Sequence, residues 1–161
     1  MRFTLIDRIL ELKPNERITA IKNLSMAEEY LADHFPGFPV MPGVLMLEAM
    51  TQAGAWLIRA SEDFAHSTVV LKEAKNVKFA NFLRPGQTLT VTAEIVDADH
   101  RQTRLKAFGS VEGTATVSAR LTLARYNLAD ERADRHVADE VVKLKMRELF
   151  SLLYQPRESA A

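Results

Sequence analysis

The sequence predicts an α+β domain in which a strongly curved antiparallel sheet wraps around one long central helix. Two patterns carry that expectation. From Gly43 to about Arg59, apolar residues fall nearly all round a helix: Val44, Leu45, Met46, Leu47, Met50, Ala53, Trp56 and Leu57. A helix without a solvent face is covered on most sides. Downstream the period changes to two. In Thr88–Asp97, Leu89, Val91, Ala93 and Ile95 alternate with Thr88, Thr90, Thr92 and Glu94. In Thr114–Leu123, Ala115, Val117, Ala119, Leu121 and Leu123 alternate with polar residues. Such segments are half-buried antiparallel strands. One apolar sheet face and one helix needing cover are satisfied together when the sheet curls around the helix.

The remaining elements follow in chain order. Residues 5–24 read as two short strands joined at the turn-rich stretch Lys13-Pro14-Asn15-Glu16. Ser25 is expected to cap a short helix, with Glu28 completing a capping box. The segment from His34 to Gly43 comes next, and five of the chain's twelve glycines and prolines lie between Pro36 and Gly43. That density excludes a regular helix or a central strand and predicts a stiff, shaped loop. Beyond the central helix, strands near 68–80 and 102–111 complete the sheet, with Pro85-Gly86 and Glu112-Gly113 as turns. After Tyr126 a polar linker, Asn127 to Asp134, leads to Val137, Val141, Leu144, Leu149, Leu152 and Leu153 at near-helical spacing. They predict a C-terminal amphipathic helix whose apolar stripe packs on the body or on a neighbouring subunit, because an isolated helix of this length is marginal in water. The expected organisation is therefore a domain over residues 1–126 and a linker with helical extension over 127–161.

Composition narrows the function. Of 161 residues, 47% are hydrophobic and 26% charged, the balance of an ordinary globular protein rather than a disordered chain. With no cysteine, disulfides, thiolate zinc sites, iron–sulfur clusters and a cysteine nucleophile are all excluded. Twenty-one basic residues balance twenty-one acidic ones, which leaves no footprint for non-specific nucleic-acid binding. An acidic residue as early as Asp7 argues against a secretory signal. The most apolar stretch, Val40 to Ile58, contains Glu48, Thr51 and Gln52. A carboxylate at a bilayer centre costs roughly 2.5–3.5 kcal/mol, so a buried helix is expected rather than a membrane span, and the expected compartment is the cytoplasm. No paired histidines or carboxylates suggest a metal. Gly109-Ser110 lies inside a strand and lacks the context of a nucleophile elbow.

Two ionisable residues stand where such residues are uncomfortable. His34 opens the stiff loop, and Glu48 lies inside the most apolar helix. Desolvation there would hold Glu48 protonated and able to act as a general acid. Thr51 and Gln52 follow at i+3 and i+4, making one polar stripe. The helix start at Gly43 offers free backbone N–H groups that can polarise a carbonyl. The residues by themselves leave plainer alternatives open: His34 as a structural or exposed loop histidine, and Glu48 as a buried carboxylate held by Gln52 or the backbone. Met41, Met46 and Met50 read as core fillers, and His66, His100 and His136 have no ligand-type spacing.

The run His34-Phe35-Pro36-Gly37-Phe38-Pro39-Val40-Met41-Pro42-Gly43 through Glu48-Ala49-Met50-Thr51-Gln52 resembles the signature of the (3R)-hydroxyacyl-[acyl-carrier-protein] dehydratases of type II fatty acid synthesis. The resemblance extends from Ile6 to about Ala124, with Ala20-Ile21-Lys22-Asn23, Val77-Lys78-Phe79 and Arg84-Pro85-Gly86 as further matching segments. It implies the hot-dog fold. It also implies His34 as the base taking the C2 proton of a β-hydroxyacyl thioester and Glu48 as the acid assisting departure of the C3 hydroxyl. Gly43 matches the glycine whose N–H polarises the thioester carbonyl, and Gln52 a helix glutamine beside the acid; Phe35 and Val44 join them as substrate contacts. Glutamate rather than aspartate at position 48 implies a plain dehydratase. The family pattern departs at Asp33, where glycine is usual before the histidine. No cofactor is implied, since the substrate rides on the phosphopantetheine of acyl carrier protein. The implied assembly is a homodimer with composite active sites, with a trimer of dimers left open. Lys72, Lys75, Lys78 and Arg84 form a basic run that would steer an acidic carrier, or alternatively discourage edge pairing. A related dehydratase of a specialised lipid or polyketide pathway and a non-catalytic acyl-binding module remain the alternatives.

Overall fold

The computed structural model describes residues 3–156. Six strands form one antiparallel sheet: β1 Arg8–Lys13, β2 Arg17–Asn23, β3 Thr68–Phe79, β4 Thr88–Ala98, β5 Gln102–Val111 and β6 Thr114–Tyr126. They lie in the order β1-β2-β4-β5-β6-β3, so β1 and β3 are the edges. Among the described residues two α-helices complete the fold, α1 Gly43–Ser61 and α2 His136–Leu153. The layout is the predicted one, a sheet curled around a central helix. No helix among the described residues is long and apolar enough to cross a membrane.

The turns follow from local chemistry. Between β1 and β2, the Glu16 N–H donates to the Lys13 carbonyl at 3.1 Å, with Asn15 at a left-handed φ of 62°. Between β5 and β6, Glu112 and Gly113 both carry positive φ, 50° and 78°, as a two-residue hairpin turn that matches the strand twist demands. The inner pleat is read directly from the alternation: Ile18 and Ala20, Leu89, Val91 and Ala93, Leu105 and Ala107, then Val117, Ala119, Leu121 and Leu123 are all buried. They meet Ala49, Met50, Ala53 and Leu57 of α1, and Met41, Met46 and Met50 are core residues. Small residues let the helix approach closely. A Cβ on Gly54 would stand 2.7 Å from Cδ1 of Leu105, so the middle of α1 lies almost on β5.

Two expectations are corrected. Ser25 does not open a capping box: its hydroxyl accepts the Ala27 N–H at 3.1 Å, and the one short helical turn nearby is a 3₁₀ segment, Glu29–Ala32. The Glu28 carboxylate instead accepts from the buried Lys22 ammonium at 2.6 Å, with Asp7 at 3.8 Å; an amine on the inner side of β2 outcompetes a backbone cap. Secondly, α1 is covered all round only along its second half; in the first half one face, with Met46, Ala49 and Met50, is buried and the other is open. Val44 is 67% exposed and Glu48 only half-buried, because the sheet of a single chain does not close over the first turns.

In α2 the expected stripe divides between the body and the open surface of the single chain. Met146, Leu149, Phe150, Leu153 and Tyr154 pack on the body, whereas Val137, Val141, Leu144 and Leu152 face outward. Polar chemistry sets that rotation. The buried carboxylate of Asp139 accepts the N–H groups of Leu128 and Ala129, each at 2.9 Å, and the Ser67 hydroxyl. Burial pushes this carboxyl up, but the three hydrogen bonds outweigh it and hold the group below its ordinary value. Further along, Arg147 donates to Asp63 at 2.8 Å, and the Phe150 ring lies 6.0 Å from Trp56 and 5.5 Å from Phe64.

Candidate active site

The stiff loop is pinned at both ends. The Val40 N–H returns to the His34 carbonyl at 3.2 Å, Phe38 N–H to Phe35 at 2.9 Å, and Met41 N–H to Leu83 at 2.9 Å. Gly37 occupies the tip at φ +83°, which a side chain would resist. Within this frame the Nδ1 of His34 lies 3.1 Å from the carbonyl oxygen of Val40. A carbonyl only accepts, so Nδ1 carries a hydrogen and Nε2 is the nitrogen left to take a proton. The imidazole stacks on Phe35, ring centroids 4.1 Å apart, and is half-buried.

The loop ends at the start of α1. Pro42 lends its carbonyl to the N–H groups of Leu45 and Met46, at 2.9 and 3.3 Å. Those of Gly43 and Val44 have no backbone acceptor among the described residues and stand at the positive end of the helix dipole. Gly43 approaches Phe79 closely: a Cβ would sit 3.0 Å from two carbons of that exposed ring, which would have to shift to admit it. His34, Phe35, Gly43, Val44 and Phe79 together line a cleft of about 440 Å³. Four of the predicted site residues are therefore brought together here.

Glu48 is not among them. It lines a second cleft, of about 400 Å³, with Thr51, Gln52, Trp56, Arg59, Val70, Leu71, Met146 and Leu149. The two clefts share no residue. Gln52 fixes the carboxylate. Its Oε1 accepts the Leu5 N–H at 2.8 Å, which settles the amide orientation, and its Nε2 then donates to Glu48 Oε1 at 3.0 Å and to the Phe3 carbonyl at 3.2 Å. Glu48 Oε2 has no hydrogen-bond partner among the described residues. Thr51 does not join this stripe by hydrogen bonding, since its hydroxyl turns back to the Leu47 carbonyl at 3.1 Å.

The basic run is not one patch. Lys72 bonds Gln102 at 3.0 Å near the start of β3, and Lys75 pairs with Glu73 at 3.0 Å. Lys78 lies roughly 20 Å from Lys72 along the strand, at ~3.3 Å per residue. Arg84 lines a neighbouring cleft that shares Asn81 and Phe82 with the His34 cleft; its guanidinium lies 5.1 Å from the Phe38 ring, which itself meets Phe82 edge-on at 5.5 Å.

Sequence reasoning passed over Arg59, Met146 and Leu149. Arg59 stands eleven residues after Glu48, three turns along the same helix face, and that register was its only signal. Its guanidinium lies 5.6 Å from the Trp56 ring, and its buried Nε has no hydrogen-bond partner among the described residues. Burial lowers its pKa to about 10. Nothing in the sequence linked the C-terminal helix to Glu48.

Known proteins place the chain. Residues 1–121 match the FabA-like domain family. The chain is 42% identical over 117 residues to the 3-hydroxyacyl-[acyl-carrier-protein] dehydratase FabZ of Levilactobacillus brevis, covering 73% of this chain and 79% of that one. It is 35% identical over 122 residues to the FabZ of Ruminiclostridium cellulolyticum, covering 76% and 86%. Among solved structures, the dehydratase heterocomplex ApeI:P from Xenorhabdus doucetiae superposes with a TM-score of 0.66 at 18% identity, covering 79% of this chain and 86% of that one, a likeness of fold alone. On these matches the chain belongs to the FabA-like family, among the FabZ 3-hydroxyacyl-[acyl-carrier-protein] dehydratases.

Proposed function

We propose that the protein dehydrates (3R)-3-hydroxyacyl-[acyl-carrier-protein] to the trans-2-enoyl product in fatty acid biosynthesis, at composite sites built by two copies of the chain. One observation carries the second part. The β3 edge strand has Val70 and Leu71 near its start, in the Glu48 cleft, and Phe79 at its end, in the His34 cleft. When two β3 edges pair antiparallel about a two-fold axis, the end of one meets the start of the other. The His34 cleft of one protomer then continues into the Glu48 cleft of its partner. Val70, Leu71, Phe79 and Val44, all exposed in the single chain, would be covered by this pairing.

In that arrangement the thioester carbonyl lies against the free N–H groups of Gly43 and Val44, which stabilise charge developing on its oxygen. Nε2 of His34 takes the C2 proton, and the Val40 carbonyl supports the imidazolium that forms. The electron pair of the C2–H bond becomes the C2=C3 double bond, the C3–O bond breaks, and the Glu48 proton leaves with the hydroxyl as water. Return of the His34 proton to Glu48 resets the site. Elimination of water is redox-neutral, so no electron acceptor is required. Phe35 and Val44 form the wall beside the reacting carbons, and Gln52 keeps Glu48 in register. Arg84 in the adjoining cleft, and the Lys75–Lys78 segment of β3, would meet an acidic carrier and the phosphate of its pantetheine arm. The reading is tested with a four-carbon trans-2-enoyl thioester: loss of enoyl absorbance on adding protein is expected, and none at millimolar substrate would refute the activity.

A further inference from the structure

We propose that α2 is the end wall of the acyl channel and sets the longest chain that the enzyme accepts. The inference rests on the placement of Glu48 at C3 of the substrate. With the thioester at the start of α1 and C3 at Glu48, the rest of the acyl chain continues away from the helix start. The cleft supplies that path. Glu48, Gln52, Ala55 and Arg59 recur at three- and four-residue steps along one face of α1 and line it in turn. From Glu48 to Arg59 the helix advances roughly 16 Å at ~1.5 Å per residue.

At its far side the cleft is bounded by Met146 and Leu149. Both belong to α2, which lies outside the region shared with the FabA-like family, residues 1–121. The wall is held from several directions. Asp139 is tied to Leu128, Ala129 and Ser67, Arg147 to Asp63, and Phe150 between Trp56 and Phe64. Met146 and Leu149 alternate in sequence with the anchors Arg147 and Phe150, so they have little freedom to swing aside. The Arg59 guanidinium in the same cleft has an Nε without a partner among the described residues, and a hydrocarbon tail pushed against it would strip water from a charge without offering a hydrogen bond. A chain that reaches this wall has nowhere to go.

The test compares hydration rates of carrier-bound enoyl substrates of four, eight and sixteen carbons, and reads the ratio between lengths within each protein. The wild type is expected to fall off sharply at sixteen carbons. In the Met146→Ala, Leu149→Ala double variant the sixteen-to-four ratio should rise at least tenfold, since a single methylene denied room is worth on the order of 10–200-fold. Leu149→Trp should move the ratio the other way, lowering eight-carbon against four-carbon turnover. Equal use of four and sixteen carbons by the wild type, or ratios within about twofold of wild type in both variants, would overturn the wall. Absence of four-carbon turnover in the wild type is a separate result: it removes the dehydratase reading itself, and the inference with it.

Discussion

Two inactive proteins, one carrying His34→Ala and the other Glu48→Gln, should make active enzyme when their subunits are exchanged. The geometry of α1 sets the expectation. Glu48 is five residues past Gly43, which at ~1.5 Å and ~100° per residue puts it about 7.5 Å along the helix and about 140° around it. His34 and Gly43 line one cleft and Glu48 another. Each substitution alone should lower turnover by on the order of 10²–10⁴-fold. In Glu48→Gln the new amide retains an oxygen for the Nε2 of Gln52 and nearly the same volume, so the loss would report the missing proton rather than a collapsed site. Random pairing makes about half of the dimers mixed, and each mixed dimer has one intact and one doubly damaged site. Roughly a quarter of all sites should therefore recover. The assay is enoyl hydration before and after exchange, with exchange followed independently by mass-tagged subunits and folding by circular dichroism. No recovery despite proven exchange would refute the shared site.

Further outcomes follow from the surface and from α2. Reversing Lys75 and Lys78 to glutamate should weaken turnover of carrier-bound substrate far more than that of a short thioester mimic; equal losses on both would discard the docking role. The lowered carboxyl of Asp139 makes the α2 anchor acid-sensitive. A carboxyl that binds protons less readily in the folded state stabilises it above the unfolded value near pH 4, and this contribution fades as pH falls through the lower native value. Melting temperatures of the wild type and Asp139→Asn should therefore differ most near neutrality and converge in acid, whereas a constant difference from pH 3 to 7 would contradict the charged anchor.

The sequence by itself determined the parts of this protein that depend on local chemistry. Period-two alternation placed β4 and β6, because a half-buried pleat demands it, and the density of proline and glycine between Pro36 and Gly43 left that segment no option but a shaped loop. The order of His34, loop, Gly43 and Glu48 was likewise legible, since the loop and helix that hold these residues are contiguous in the chain. Helical spacing also announced α2, but not its rotation. Val137, Val141 and Leu144 have the same periodicity as residues that pack, yet they face outward, because a carboxylate at Asp139 finds three donors contributed by Ser67 and the segment after β6. Only the tertiary structure decided that α1 is left open at its first turns, that Gln52 is oriented by the N–H of Leu5, and that Met146 and Leu149 stand across a cleft from Glu48. These are contacts between residues tens of positions apart. The free energy that selects them is apolar burial and the pairing of buried polar groups, and it belongs to the assembled fold rather than to any window of the chain.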